Sequence, residues 1–139
     1  MINPVQAEQW IPCVGFERRY EVSSHGRVRS LHPRHRGAEF LLSIIVCSSG
    51  YHRVHLSSDE CRNRIYLVHR LVMMTFSGPP PVGRGDVNHI NGVKSDNRIE
   101  NLEWTNDSLN MIHAYHVLGT TKHVIAKMNR AVARRHAAR

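Results

Sequence analysis

Residues 86–115 constrain this chain more than any other stretch: D-V-N-H-I-N-G-V-K-S-D-N-R-I-E-N-L-E-W-T-N-D-S-L-N-M-I-H-A-Y. The order reads as strand, tight turn, loop, strand, helix. Val87 to Ile90 forms a short strand. Asn91-Gly92 then suits a primed turn, which needs positive φ at both central residues. Leu102 to Trp104 gives a second strand, with apolar residues flanking Glu103. Thr105, Asn106 and Asp107 offer N-cap oxygens and a negative first turn. The helix they open runs to about Leu118, and Gly119 falls where a left-handed residue closes helices. Met111, Tyr115 and Leu118 share its apolar stripe. Three polar residues stand out: His89 on the first strand, Asn101 at the opening of the second, and Asn110 one turn into the helix.

Taken singly, each of these has an ordinary explanation, such as a satisfied strand histidine or a turn asparagine. The contiguous blocks N-H-I-N-G and N-R-I-E-N-L-E-W, ordered ahead of a capped helix, are specific. They resemble the HNH, or ββα-metal, nucleases, and in particular the phage and intron-encoded homing branch. The resemblance implies a divalent-metal-dependent DNA endonuclease that leaves 5′-phosphate and 3′-hydroxyl ends, with nicking expected of one active site. It places the general base at His89, since a neutral imidazole accepts a proton from water near neutral pH. It places metal ligands at Asn88 and Asn110, for one Mg²⁺ or Mn²⁺ per site. Asn101 matches the middle Asn, which orients the catalytic His region. Many members carry Asp before the His and His at the helix position; this chain has Asn at both. Amide oxygens are neutral ligands, and Mg²⁺ tolerates them because it keeps waters and shares substrate phosphates. Asp86 or Glu103 is placed to add charge. His113, one turn beyond Asn110, is the alternative helix ligand.

Charge agrees with that chemistry. The 139 residues carry a formal net charge of +8 and a sequence pI of about 10.1. Such a balance suits a polyanion, with double-stranded DNA ahead of a membrane surface. At 41% hydrophobic, the chain suits one compact unit or two small modules sharing a core. The first ten residues lack the apolar core of a signal peptide. The longest apolar run, Phe40 to Cys47, is far too short to span a bilayer. A cytoplasmic monomer with no membrane partner is therefore expected, with a dimer left open. Cys13, Cys47 and Cys61 form no C-x-x-C pair, so no structural zinc is expected. Inert thiols in a reducing compartment are the simpler reading.

The segment from Trp10 to Ser30, W-I-x-x-x-G-F-E-x-x-Y-E-V-S-x-x-G-R-V-R-S, resembles the small DNA-binding module found ahead of the HNH motif in phage homing endonucleases. Tyr20 to Val22 and Arg27 to Leu31 read as strands. Trp10, Phe16, Tyr20 and Val22 are the expected core. Arg27 and Arg29 alternate with Val28 and so share the opposite face, for phosphate contact or plain solvation. Leu31 to Glu39 reads as a basic loop broken by Pro33 and Gly37. Phe40 to Leu56 reads as strand, turn, strand around Ser48-Ser49-Gly50. Tyr51, Arg53 and His55 fall on one face there, and His52, Val54 and Leu56 on the other. A basic ribbon of this kind fits a major groove, although ordinary polar-out alternation gives the same pattern. Ile65 to Val68 reads as a third strand. His69 to Phe76 reads as a helix burying Leu71, Val72, Thr75 and Phe76, with Gly78 ending it and His69 structural. V-H-R-L-V-x-x-T-F also recurs in this branch of HNH proteins.

Pro79-Pro80-Pro81 leads into the nuclease motif as an extended segment. After Gly119 a further helix, capped by Thr120 and Thr121, carries Lys127, Arg130 and Arg134 along one stripe. With Lys94 and Arg98 inside the motif, these complete the candidate DNA contacts.

The expected fold class is α+β. Residues 1–78 form a β-rich DNA-binding module with a short helix, 79–119 the HNH ββα-metal motif, and 120–139 a basic C-terminal helix. A non-cleaving DNA-binding protein that retains the HNH frame is the competing reading. An RNA-binding accessory protein matches the charge but has no motif in its favour.

Overall fold

A single helix, α1 (Val68–Phe76), is the element on which the sheets meet. Val68, Leu71, Val72 and Phe76 recur at the spacing of one helical face. No Gly or Pro interrupts it. It stops at Ser77, whose N–H bonds to Met73 O at 2.9 Å, and Gly78 follows with φ +79°. Val68 and Val72 are fully buried, each such side chain stabilising the fold by about 1.5–3 kcal/mol. Met73 is buried as well, whereas Thr75 and Phe76 are only half-buried. The expected helix face is therefore rotated toward Met73.

The computed structural model describes residues 7–33, 40–60 and 62–109. Asn110, His113, Cys61, the tail basic residues and the proposed 120–139 helix lie outside the described residues. The architecture is α+β, with three antiparallel sheets contacting α1. The first is β1 (Trp10–Pro12), β2 (Tyr20–Ser23) and β3 (Val28–Ser30). The second is β4 (Ile45–Val46), β5 (His52–Leu56) and β6 (Arg64–Leu67). The third is β7 (Asp86–His89) with β8 (Leu102–Thr105). An isolated bridge, Arg29 to Leu41, joins the first sheet to the chain entering the second.

Strand parity fixes what is inside. Ile11 pairs with Val22 and Val22 with Val28, so these share the inner face, and both valines are essentially inaccessible. Trp10 pairs with Ser23 and has the opposite parity. It is half-buried on the outer face beneath the guanidinium groups of Arg27 and Arg29, 5.4 and 4.3 Å from its ring. The expectation of a core tryptophan is thus corrected, and the buried Cys13 joins the core in its place. Phe16 packs edge-on against Tyr20 and Tyr66, which seals the first sheet against the second. In β5, Val54 and Leu56 are buried while His55 is exposed.

One turn differs from the sequence expectation. Gly92 N–H donates to His89 O at 2.9 Å, so Ile90 and Asn91 are the central residues. Positive φ occurs at Gly92 and not at Asn91. The strands β7 and β8 are instead joined by the whole loop 90–101, which the site itself organises.

Candidate active site

The β7–β8 register pairs Asn88 with Glu103 and His89 with Leu102. Ile90 N–H then bonds to Asn101 O at 2.8 Å, closing the base of the loop. Asn101, 7% exposed, ties the loop across itself. Its Oδ1 accepts from Asn91 N–H at 3.0 Å, and its Nδ2 donates to Asn91 Oδ1 and to Asp96 O, both at 2.9 Å. Asn91 Oδ1 also accepts from Val93 N–H at 2.9 Å, a side-chain turn that explains Asn at this position without positive φ. Asn91 Nδ2 donates to Asp96 Oδ2 at 2.8 Å. Arg98 grips the same carboxylate through two bonds of 2.8 Å. This fork holds the Asp96 carboxyl down to about 2.

His89, 6% exposed, sits where this loop meets α1. Its Nε2 is 2.9 Å from Oδ1 of Asn97, itself buried. An amide oxygen only accepts, so the neutral imidazole carries its proton on Nε2 and keeps the Nδ1 lone pair for other work. Burial pushes the imidazole below its ordinary value. The Asn97 bond and the Asp96 charge oppose that shift, and the Lys94 and His52 charges add to it. The result is a histidine kept neutral, as a proton acceptor requires. Sequence reasoning alone does not single out Asn97. Its place within the N-R-I-E-N block is the signal that could have found it.

His69 and Tyr51 complete the surroundings. The His69 ring lies 5.2 Å from the His89 ring and 5.2 Å from that of Tyr51. Tyr51 is 6.0 Å from His89. Burial first, then the charges of His89 and Arg70, push His69 down to about 4. Its Nδ1 is buried with no hydrogen-bond partner among the described residues. Lys94 donates to Ser49 O at 2.8 Å and stands 4.8 Å over the Tyr51 ring, pinning the loop to the β4–β5 turn.

The expected metal ligand Asn88 is 5% exposed. Its Nδ2 donates to Glu103 Oε1 at 2.9 Å, which leaves the amide oxygen as its donor atom. A neutral hard oxygen beside a carboxylate suits Mg²⁺ or Mn²⁺. Of the two carboxylates considered for extra charge, Glu103 is the one in contact with Asn88. Among the described residues no three His, Cys, Asp or Glu side chains cluster around a common point.

The expected DNA contacts are spread over the three sheets. Arg27 bonds Glu8, and Arg29 bonds Glu21 with its Nε at 2.6 Å. The Arg27 contact holds the Glu8 carboxyl down to about 2. Arg53 and His55 share the outer face of β5, opposite Ile45 and Ile65 respectively. Lys94 and Arg98 belong to the nuclease loop. No helix among the described residues is long and apolar enough to cross a membrane.

Comparison with known proteins meets this geometry. The HNH endonuclease family model matches residues 66–112, and the NUMOD4 motif matches residues 8–57. An uncharacterized HNH endonuclease of Acanthamoeba polyphaga mimivirus is 36% identical over 129 residues, covering 89% of this chain and 31% of that protein. DNA endonuclease I-HmuI of Bacillus phage SP01 is 30% identical over 103 residues, covering 74% of this chain and 55% of that protein. A solved structure described as "DNA binding and cleavage by the HNH homing endonuclease I-HmuI" superposes with a TM-score of 0.67 at 25% identity, covering 88% of this chain and 66% of that one. The chain thus spans roughly a third to a half of the length of these curated relatives. It therefore carries an HNH endonuclease domain over residues 66–112 with a NUMOD4 motif ahead of it over residues 8–57.

Proposed function

We propose that this chain is a metal-dependent DNA endonuclease that hydrolyses phosphodiester bonds to 5′-phosphate and 3′-hydroxyl ends, one strand at a time. The observation that carries this reading is the seating of His89, with Nε2 committed to Asn97 Oδ1 and the ring kept neutral by burial. In this reading His89 Nδ1 takes a proton from water. The water oxygen attacks phosphorus, the bond from phosphorus to the 3′ oxygen breaks, and that oxygen leaves as hydroxyl after gaining a proton. Asn101 and Asn97 hold the loop and the ring in place. Asn88 and Asn110 would hold one Mg²⁺ or Mn²⁺, which when bound supplies positive charge to the phosphate and to the departing oxygen. Duplex DNA is the proposed substrate, because I-HmuI binds and cleaves DNA and a net charge of +8 favours the same partner here. Lys94, Arg98, Arg53 and His55 are the proposed DNA contacts among the described residues, with Arg27 and Arg29 once their carboxylate partners yield.

The test compares wild type with His89→Ala on supercoiled plasmid in Mg²⁺, Mn²⁺ or EDTA. Wild type nicks with metal and not with EDTA. The variant binds DNA with unchanged affinity and cuts about 10²- to 10⁴-fold more slowly. Wild type that binds but never cuts, in any metal and on its own source DNA, would leave a DNA-binding protein on an HNH frame.

A further inference from the structure

The turn of the β2–β3 hairpin, in the segment matched by the NUMOD4 motif, reaches the nuclease loop. Gly26 in that turn is buried, with φ +84°. A Cβ placed on it would lie 2.6 Å from Asn97 Cβ and 3.0 Å from Asn97 O. Beside it, Ser24 O accepts from Ile99 N–H at 2.9 Å. The turn is itself held rigidly. Ser23, fully buried, accepts through Oγ from Arg27 N–H at 2.9 Å and His25 N–H at 3.2 Å. Asn97 therefore touches both the Gly26 backbone, through its Cβ and carbonyl, and the His89 ring, through Oδ1.

We infer that the β2–β3 turn is a positioning element of the nuclease centre: Gly26 seats Asn97, and Asn97 fixes the orientation and tautomer of His89. This rests on the reading of His89 as the general base. A side chain at position 26 forces Asn97 away by roughly 1 Å to reach ordinary contact distance. A shift of that size spoils the length or the alignment of the 2.9 Å bond to His89 Nε2. A misplacement of about 1 Å at a catalytic group lowers rate by about 10²-fold. The first sheet thereby has a second use, independent of any DNA contact on its outer face.

Gly15 supplies the control. Its φ is +80°, so alanine there meets the same backbone strain, yet nothing lies within 4 Å of a Cβ. The experiment measures single-turnover nicking, DNA affinity and melting temperature for Gly26→Ala, Gly15→Ala, Asn97→Ala, Asn97→Asp and the Gly26→Ala/Asn97→Ala double variant. Gly26→Ala and Asn97→Ala each slow cleavage by about 10²-fold with DNA affinity unchanged. The double variant is no slower than the worse single one, because both act through one contact. Asn97→Asp, which keeps an acceptor oxygen, restores most of the rate, and Gly15→Ala cuts like wild type. Wild-type cleavage by Gly26→Ala, or multiplying losses in the double variant, overturns the inference.

Imidazole ¹⁵N spectra separate this inference from the nuclease reading, because they need no cleavage. The His89 ring shows the Nε2–H tautomer in wild type and Gly15→Ala, and loses it in Gly26→Ala. Should Gly26→Ala fail to fold, Asn97→Ala carries the test, shifting the His89 ring signals and the Gly26 amide together. Spectra in which either stays unmoved refute the coupling.

Discussion

Replacing Asn101 by alanine removes three hydrogen bonds at once: those to Asn91 N–H, Asn91 Oδ1 and Asp96 O. Each such bond contributes about 1 kcal/mol net. Asn91 is exposed and Asp96 half-buried, so the released groups rehydrate and add little further penalty. The expected loss is therefore about 3 kcal/mol, or roughly 10 °C in melting temperature for a chain of this size. Urea unfolding at constant m-value measures it. Asn101→Asp sharpens the test. The aspartate keeps the acceptor for Asn91 N–H but turns a carboxylate toward Asn91 Oδ1 and Asp96 O, two acceptors, and should destabilise more than alanine. A loss below about 1 kcal/mol for Asn101→Ala, or an aspartate milder than the alanine, would refute the account of the loop as one network held by this residue.

Truncation after Gly119 removes Lys122, Lys127, Arg130, Arg134, Arg135 and Arg139, and the log–log salt dependence of duplex binding should flatten by about 0.9 for every phosphate these residues neutralise; an unchanged slope and affinity mean the tail does not touch DNA. Asn110→Ala should raise the Mg²⁺ or Mn²⁺ concentration needed for cleavage at unchanged circular dichroism, and a rise with His113→Ala instead transfers the ligand role to His113. The buried His69, pushed down to about 4 from an ordinary 6.5, binds protons more readily unfolded than folded between those values. Stability is thus full above about pH 6.5 and falls by on the order of 3 kcal/mol as pH drops toward 4. Denaturation across that range should lose this slope in His69→Phe. The Glu8 and Asp96 carboxylates, each held near 2, lose their contribution only as pH falls below about 4, so the two windows separate.

Much of the frame was legible because it rests on periodicity. The alternation that buries Val54 and Leu56 in β5, and the burial of Leu71 and Val72 on one side of α1, follow from spacing. The N-cap was legible in kind, and Asn106 takes it, its Oδ1 accepting from Leu109 N–H at 2.9 Å. What escaped is non-periodic. The loop 90–101 is built from side chains bonding to backbone, an arrangement that leaves no repeat in sequence. Asn97 matters through Gly26, which is far away in the chain. Trp10 was misplaced because a large aromatic reads as core, whereas strand parity sets it outside under two arginines.

That tryptophan face bears on how the chain meets a polyanion. Arg27 and Arg29 lie over the indole and are already paired with Glu8 and Glu21. These carboxylates serve as tethered counterions. A phosphate arriving at Arg27 must displace an anion fixed to the same fold, so the contact is gained at the expense of an ion pair already present. Two of the chain's positive charges then count toward the geometry of recognition more than toward its strength.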